Sequence, residues 1–147
     1  MTNRIKLYEA FPEGLSAMGG VGTAVHDSGL EHSLVELVDA RASQINGCAF
    51  CLNMHVTNAV KGGENEMRLL VLPAWRETTW FTERERAALA LTEAMTLIAE
   101  NHVPDDVWEA AAEEFEEREL SALMLAICQI NAWNRLQVAT EAPPRLD

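Results

Sequence analysis

The sequence predicts an all-α fold, and three observations lead there. No stretch alternates polar and apolar residues with period two for long enough to form a strand. Apolar residues recur instead at three- and four-residue spacing. The intervals between those runs carry helix start and stop signals. At 147 residues the chain is expected to make one domain large enough to bury a core. That domain is placed at residues 28–140, after an N-terminal arm at 1–27 and before a C-terminal tail at 141–147.

The arm holds Pro12, Gly14, Gly19, Gly20 and Gly22 among scattered Ile5, Leu7, Tyr8, Phe11, Leu15 and Met18. Glycine and proline lower helix propensity, so it reads as extended with one short helix, lying over its own subunit or a neighbouring one. Ser28-Gly29-Leu30-Glu31 has the form of a capping box. Leu34, Leu37, Val38, Ala42 and Ile45 follow at helical spacing, which predicts a helix over 31–44. Asn46-Gly47 breaks it. A second helix over 48–61 turns Cys51, Leu52, His55, Val56 and Ala59 inward; Gly62-Gly63 end it, with Lys61 suiting the negative end of the dipole.

Residues 64–72 form one further short helix, stopped by Pro73, and Ala74 to Phe81 make an aromatic connector. Thr82-Glu83-Arg84-Glu85 is a second capping box. It opens a helix through Ala99 whose Ala87, Leu89, Ala90, Leu91, Ala94, Met95 and Ile98 cover more than one side, as in a central helix. Val103-Pro104-Asp105-Asp106 starts the next, with proline near the first turn and acids at the positive dipole end, and it runs to Glu116. The last helix, 118–138, carries Leu120, Leu123, Met124, Ile127, Ile130, Ala132, Trp133, Leu136 and Val138, and is expected to be almost wholly buried. Its Asn131 and Asn134 need hydrogen-bond partners, for which a subunit interface is one source. Pro143-Pro144 close the ordered part.

Charge and composition exclude several classes. The net charge is −12, from 23 acidic and 11 basic residues, so a phosphate backbone is repelled and nucleic acid is not an expected partner. No apolar run is long enough to cross a membrane, and the amino terminus lacks the apolar core of a secretory signal. A reducing, cytoplasmic setting is therefore expected. Three cysteines, two of them in C-x-x-C, do not make a disulfide framework; in the cytosol that pattern reads as redox or metal chemistry.

The chemistry gathers between Glu36 and His55. Cys48, Cys51 and His55 fall at i, i+3 and i+7, on one helical face. Glu36 lies on the preceding helix, which a short loop folds back alongside. Cysteine reacts as thiolate, and at its ordinary pKa of about 8.5 it is mostly protonated at neutral pH. The helix start favours a thiolate at Cys48, and His55 can take or relay a proton from Cys51; both sulfurs stay open as the more acidic one. Glu36 can hold the imidazole in one tautomer or pass its proton onward. Two thiols one turn apart cycle between dithiol and disulfide at small structural cost.

Bland readings stand beside this. The same cysteines could pack as core, or hold zinc with His55 and Glu36, although three ligands would then share one helical face. Cys128 reads as an inert buried thiol. His26, His32 and His102 read as surface or capping groups, and Trp75, Trp80 and Trp133 as core or interface.

Glu36…Cys48-Ala49-Phe50-Cys51…His55, set in Arg41-Ala42-Ser43-Gln44-Ile45-Asn46-Gly47, resembles the E-x11-C-x2-C-x3-H signature of the carboxymuconolactone decarboxylase superfamily, and within it the alkyl hydroperoxidase D-like (AhpD-like) branch. Glu83-Arg84-Glu85-Arg86-Ala87-Ala88-Leu89-Ala90-Leu91 and Ile130-Asn131-Ala132-Trp133-Asn134-Arg135-Leu136 match that branch too. The resemblance implies an AhpD-like helical bundle of about six or seven helices, assembling as a homo-oligomer, a trimer or hexamer. It implies that Cys51 attacks a peroxide and becomes a sulfenic acid, that Cys48 resolves it to a disulfide, and that His55 and Glu36 relay protons. An external dithiol or lipoyl-type carrier would return the electrons, with no cofactor or metal held. One position departs from the branch: Phe50 stands where its studied hydroperoxidases carry a histidine, and a phenyl ring cannot shuttle a proton.

A thiol-dependent peroxide reductase or disulfide oxidoreductase with an antioxidant role is thus the expected function. The alternatives are a decarboxylase-like lyase using His55 and Glu36 as acid and base, and a zinc-binding or structural oligomer.

Overall fold

The computed structural model describes residues 3–144. Met1 and Thr2 of the expected arm, and Arg145, Leu146 and Asp147 of the expected tail, lie outside the described residues. Nine α-helical segments and one 3-10 turn, with no strand, make up the described residues, more than the six or seven helices expected. They are α1 (Leu7–Ala10), α2 (Pro12–His26), α3 (His32–Asn46), α4 (Ala49–Lys61), α5 (Glu66–Val71), the 3-10 turn Leu72–Glu77, α6 (Glu83–Thr96), α7 (Ile98–Asn101), α8 (Asp105–Glu114) and α9 (Glu117–Ala139).

Helix α3 is the hub, packed against α4, α6 and α9. Its buried residues, Leu34, Glu36, Leu37, Val38, Ala40, Ala42 and Ser43, reach round most of its circumference. One side joins Leu34 and Val38 to Leu91, Leu123 and Ile127 from α6 and α9. The other joins Leu37 and Ala40 to Ala59, Leu72, Trp75 and Leu89. Burying side chains of this size contributes about 1.5–3 kcal/mol each, so the site's parent helix is held from both sides.

Several expectations are corrected. The arm is helical: α2 runs 15 residues and packs along α9 of its own chain. Its glycines make that approach possible, since a Cβ on Gly22 would meet Gln129 Nε2 at 3.0 Å, and Gln129 instead donates to the Met18 carbonyl at 2.8 Å. Tertiary contact here outweighs poor propensity. Upstream, Arg4 N–H donates to Thr140 O at 2.9 Å and Tyr8 stacks on Trp133, fixing the chain start to the end of α9.

Ser28 does not cap α3. Its hydroxyl turns back to Val25 O at 2.6 Å while Gly29 takes φ +101°, and Glu31 occupies the cap position without a side-chain capping bond. The Thr82–Glu85 capping box forms as expected, but its helix stops at Thr96 and a separate turn, α7, follows. Helix α8 ends at Glu114 rather than Glu116. Helix α9 is buried on one face only; Leu125 and Val138 stay about half exposed. Asn131 and Asn134 are satisfied inside the chain: Asn46 donates to both carbonyl oxygens, Asn131 donates to Thr96 Oγ1, and Asn134 donates to Ser43 Oγ. No helix among the described residues is long and apolar enough to cross a membrane.

Candidate active site

The centre is built by the way α3 ends. Gly47 adopts φ +65°, its N–H bonds Gln44 O, and Cys48 N–H bonds Ser43 O. This pair of bonds closes a Schellman turn, so the chain reverses within two residues. Cys48 is thereby delivered to the N-cap of α4, where its Sγ accepts from Cys51 N–H at 3.3 Å. The asparagine just before the turn is held by the α9 amides described above, which ties the reversal to the core.

Cys48 and Cys51 are joined as a disulfide, with Cα atoms 5.4 Å apart. Both are buried, and they pack with Ala42 and Ile130, with Phe50 against them. One turn further along α4 sits His55, at i+4 from Cys51 and on the same face.

Glu36 faces His55 from α3. Its Oε2 accepts from His55 Nδ1 at 2.8 Å, with both side chains about nine-tenths buried. Asn58 donates weakly to the other oxygen at 3.5 Å. With Nδ1 committed to the carboxylate, Nε2 is the ring nitrogen left to take or give a proton. Burial alone would pull His55 down; the Glu36 hydrogen bond and the charges of Asp39 and Glu36 outweigh it, so the imidazole is held above its usual range.

All four residues singled out in the sequence, Glu36, Cys48, Cys51 and His55, therefore converge where α3 meets α4. A fifth was missed. Asp39, one turn beyond Glu36, places Oδ2 at 3.5 Å from His55 Nδ1, and its Oδ1 is buried without a hydrogen-bond partner. Burial, with Glu36 adding to it and His55 opposing, pushes its carboxyl up to about 7. The i, i+3 spacing of two acids on a helix facing the histidine was the available signal.

Cys128 is free and exposed, not a buried thiol: Ala126 and Ile127 face the core and the next residue turns outward. His26, His32 and His102 are exposed, as expected, and Trp75 is core. Among the described residues no group of three His, Cys, Asp or Glu side chains is arranged to hold a metal ion.

The fold and the site together define a small helical protein built around a paired-cysteine centre. The carboxymuconolactone decarboxylase family model matches residues 9–94. The uncharacterized protein YdfG of Bacillus subtilis (strain 168) is 40% identical over 139 residues, covering 95% of each chain. A crystal structure from Agrobacterium tumefaciens, of a protein of unknown function proposed as the antioxidant defence protein AhpD, superposes with a TM-score of 0.95 at 38% identity. It covers 99% of this chain and 100% of that one. An uncharacterized peroxidase-related protein from Ralstonia eutropha JMP134, with an alkylhydroperoxidase AhpD core, shares the fold at 18% identity and a TM-score of 0.81, covering 95% and 74% of the two chains. The chain belongs to the carboxymuconolactone decarboxylase family, with the AhpD-like fold.

Proposed function

We propose that the protein is a thiol-dependent peroxide reductase with an antioxidant role, working in a reducing compartment and assembling as a homo-oligomer. The observation that carries this is a pair of sulfurs joined across one helical turn beside an imidazole anchored on a buried carboxylate. In the reduced state Cys51 thiolate attacks the terminal oxygen of a hydroperoxide. The O–O bond breaks, the alkoxide leaves as alcohol with a proton from His55, and Cys51 becomes a sulfenic acid. Cys48 then attacks that sulfur. An S–S bond forms and the hydroxyl leaves as water, taking the thiol proton passed on through His55. An external dithiol, a lipoyl-type carrier among them, restores the pair by exchange, becoming a disulfide itself and giving up its two protons.

Phe50 packs against the disulfide and has no proton to give, so the relay runs through His55, with Glu36 behind it. Burial of both sulfurs favours a small hydroperoxide and requires local opening before a dithiol can reach them. The test is peroxide consumption under dithiol supply: wild type turns over and Cys51→Ser does not. Undiminished turnover in Cys51→Ser would end the proposal.

A further inference from the structure

A cavity of about 330 Å³ lies between α2, α3 and α9. Val25, Leu30 and Val35 supply apolar wall, His32 and Gln129 supply polar groups, and Asp39 belongs to its lining. Asp39 thus stands between two environments. Through Oδ2 it touches the buried imidazole, and along the cavity it has a way to the surface that bypasses the disulfide. Its Oδ1 meets no donor within the protein, an expensive arrangement for a carboxylate with no compensating role.

We propose that Asp39 is a positioning residue of this site, a second carboxyl group that shares His55 with Glu36 and exchanges its own proton through the α2/α3/α9 cavity. The inference rests on the thiol-redox function proposed above. Its effect follows from charge. Ionised Asp39 strengthens the hold of the site on the imidazolium proton; neutral Asp39 releases part of it. His55 therefore remains a competent donor to a leaving alkoxide, at Nε2, up to a higher pH than Glu36 alone would allow. The titratable groups around Asp39 are His55 from α4, Glu36 from its own helix, and His26 and His32 on the cavity; α9 presents only the neutral Gln129. Asp39 and His55 titrate as a coupled pair.

The test compares wild type with Asp39→Asn. In the oxidised protein, which needs no turnover, NMR titration of His55 should show its midpoint falling by about one pH unit in the variant. The rate at which dithiothreitol reduces the disulfide should show its alkaline limb moving down by the same amount, which a merely structural residue would not cause. If Asp39→Asn does not fold, infrared spectra of wild type serve instead: a protonated-carboxyl band should vanish as pH rises through about 7. An unmoved His55 midpoint in a folded variant, or no such band in wild type, overturns the inference. A shifted midpoint in a protein that consumes no peroxide supports the Asp39 coupling and overturns the peroxidase function.

Discussion

Glu36 Oε2 and His55 Nδ1 meet at 2.8 Å across the α3–α4 junction, and this bond connects the core of the protein to its sulfur chemistry. Glu36 comes from the face of α3 that packs into the bundle; His55 comes from the face of α4 that carries Cys51. The hydrogen bond fixes the imidazole tautomer and raises its affinity for a second proton, which a donor to a leaving oxygen requires.

Glu36→Gln should destabilise the protein by about 3 kcal/mol at pH 6, since it removes the carboxylate charge that faces the buried imidazolium. The folded-state value of His55 lies above the unfolded 6.5, so its stabilising contribution is complete below 6.5 and fades as pH rises through the folded value. The deficit measured by urea unfolding should accordingly shrink at alkaline pH.

Asp39 carries the same sign for a different reason. Burial raises its folded value from 3.8 to about 7, so its contribution is complete below 3.8 and is lost as pH rises through about 7. Asp39→Asn should therefore match wild type in stability near pH 4 and exceed it near pH 8, by up to roughly 4 kcal/mol. Urea midpoints at the two pH values check this.

Gly47→Ala should cost about 1 kcal/mol. Beyond the flanking residues, no atom lies within 4 Å of the position a Cβ would take, so the penalty comes from φ +65°. Because that turn sets Cys48 at the N-cap, reoxidation of the reduced pair by diffusible disulfide should also slow. Stability and reoxidation half-time should move together.

The helices around the site were legible because their signals are local: apolar spacing, the Thr82–Glu85 box, and the Asn46-Gly47 break that becomes the αL turn. The signature positions shared one helical face for the same reason. Other features depend on partners distant in sequence. Helix α2 looked like an extended arm because its glycines are poor helix formers, whereas in the fold they admit Gln129 of α9. Asn131 and Asn134 looked short of partners until the end of α3 brought Asn46 and Ser43 to them. Asp39 stood within the stretch around the cysteines, yet its role follows from a 3.5 Å approach that only the pairing of α3 with α4 creates.

Mass-spectrometric mapping of cysteine oxidation, after fully reduced protein meets one equivalent of hydroperoxide, tests the central claim most directly. Cys128, the free and exposed thiol, serves as an internal comparison. Oxidation is predicted to appear as a Cys48–Cys51 disulfide ahead of any change at Cys128, and in Cys48→Ser as a dimedone-trapped sulfenic acid on Cys51. Oxidation confined to Cys128, with Cys48 and Cys51 still reduced, would contradict it.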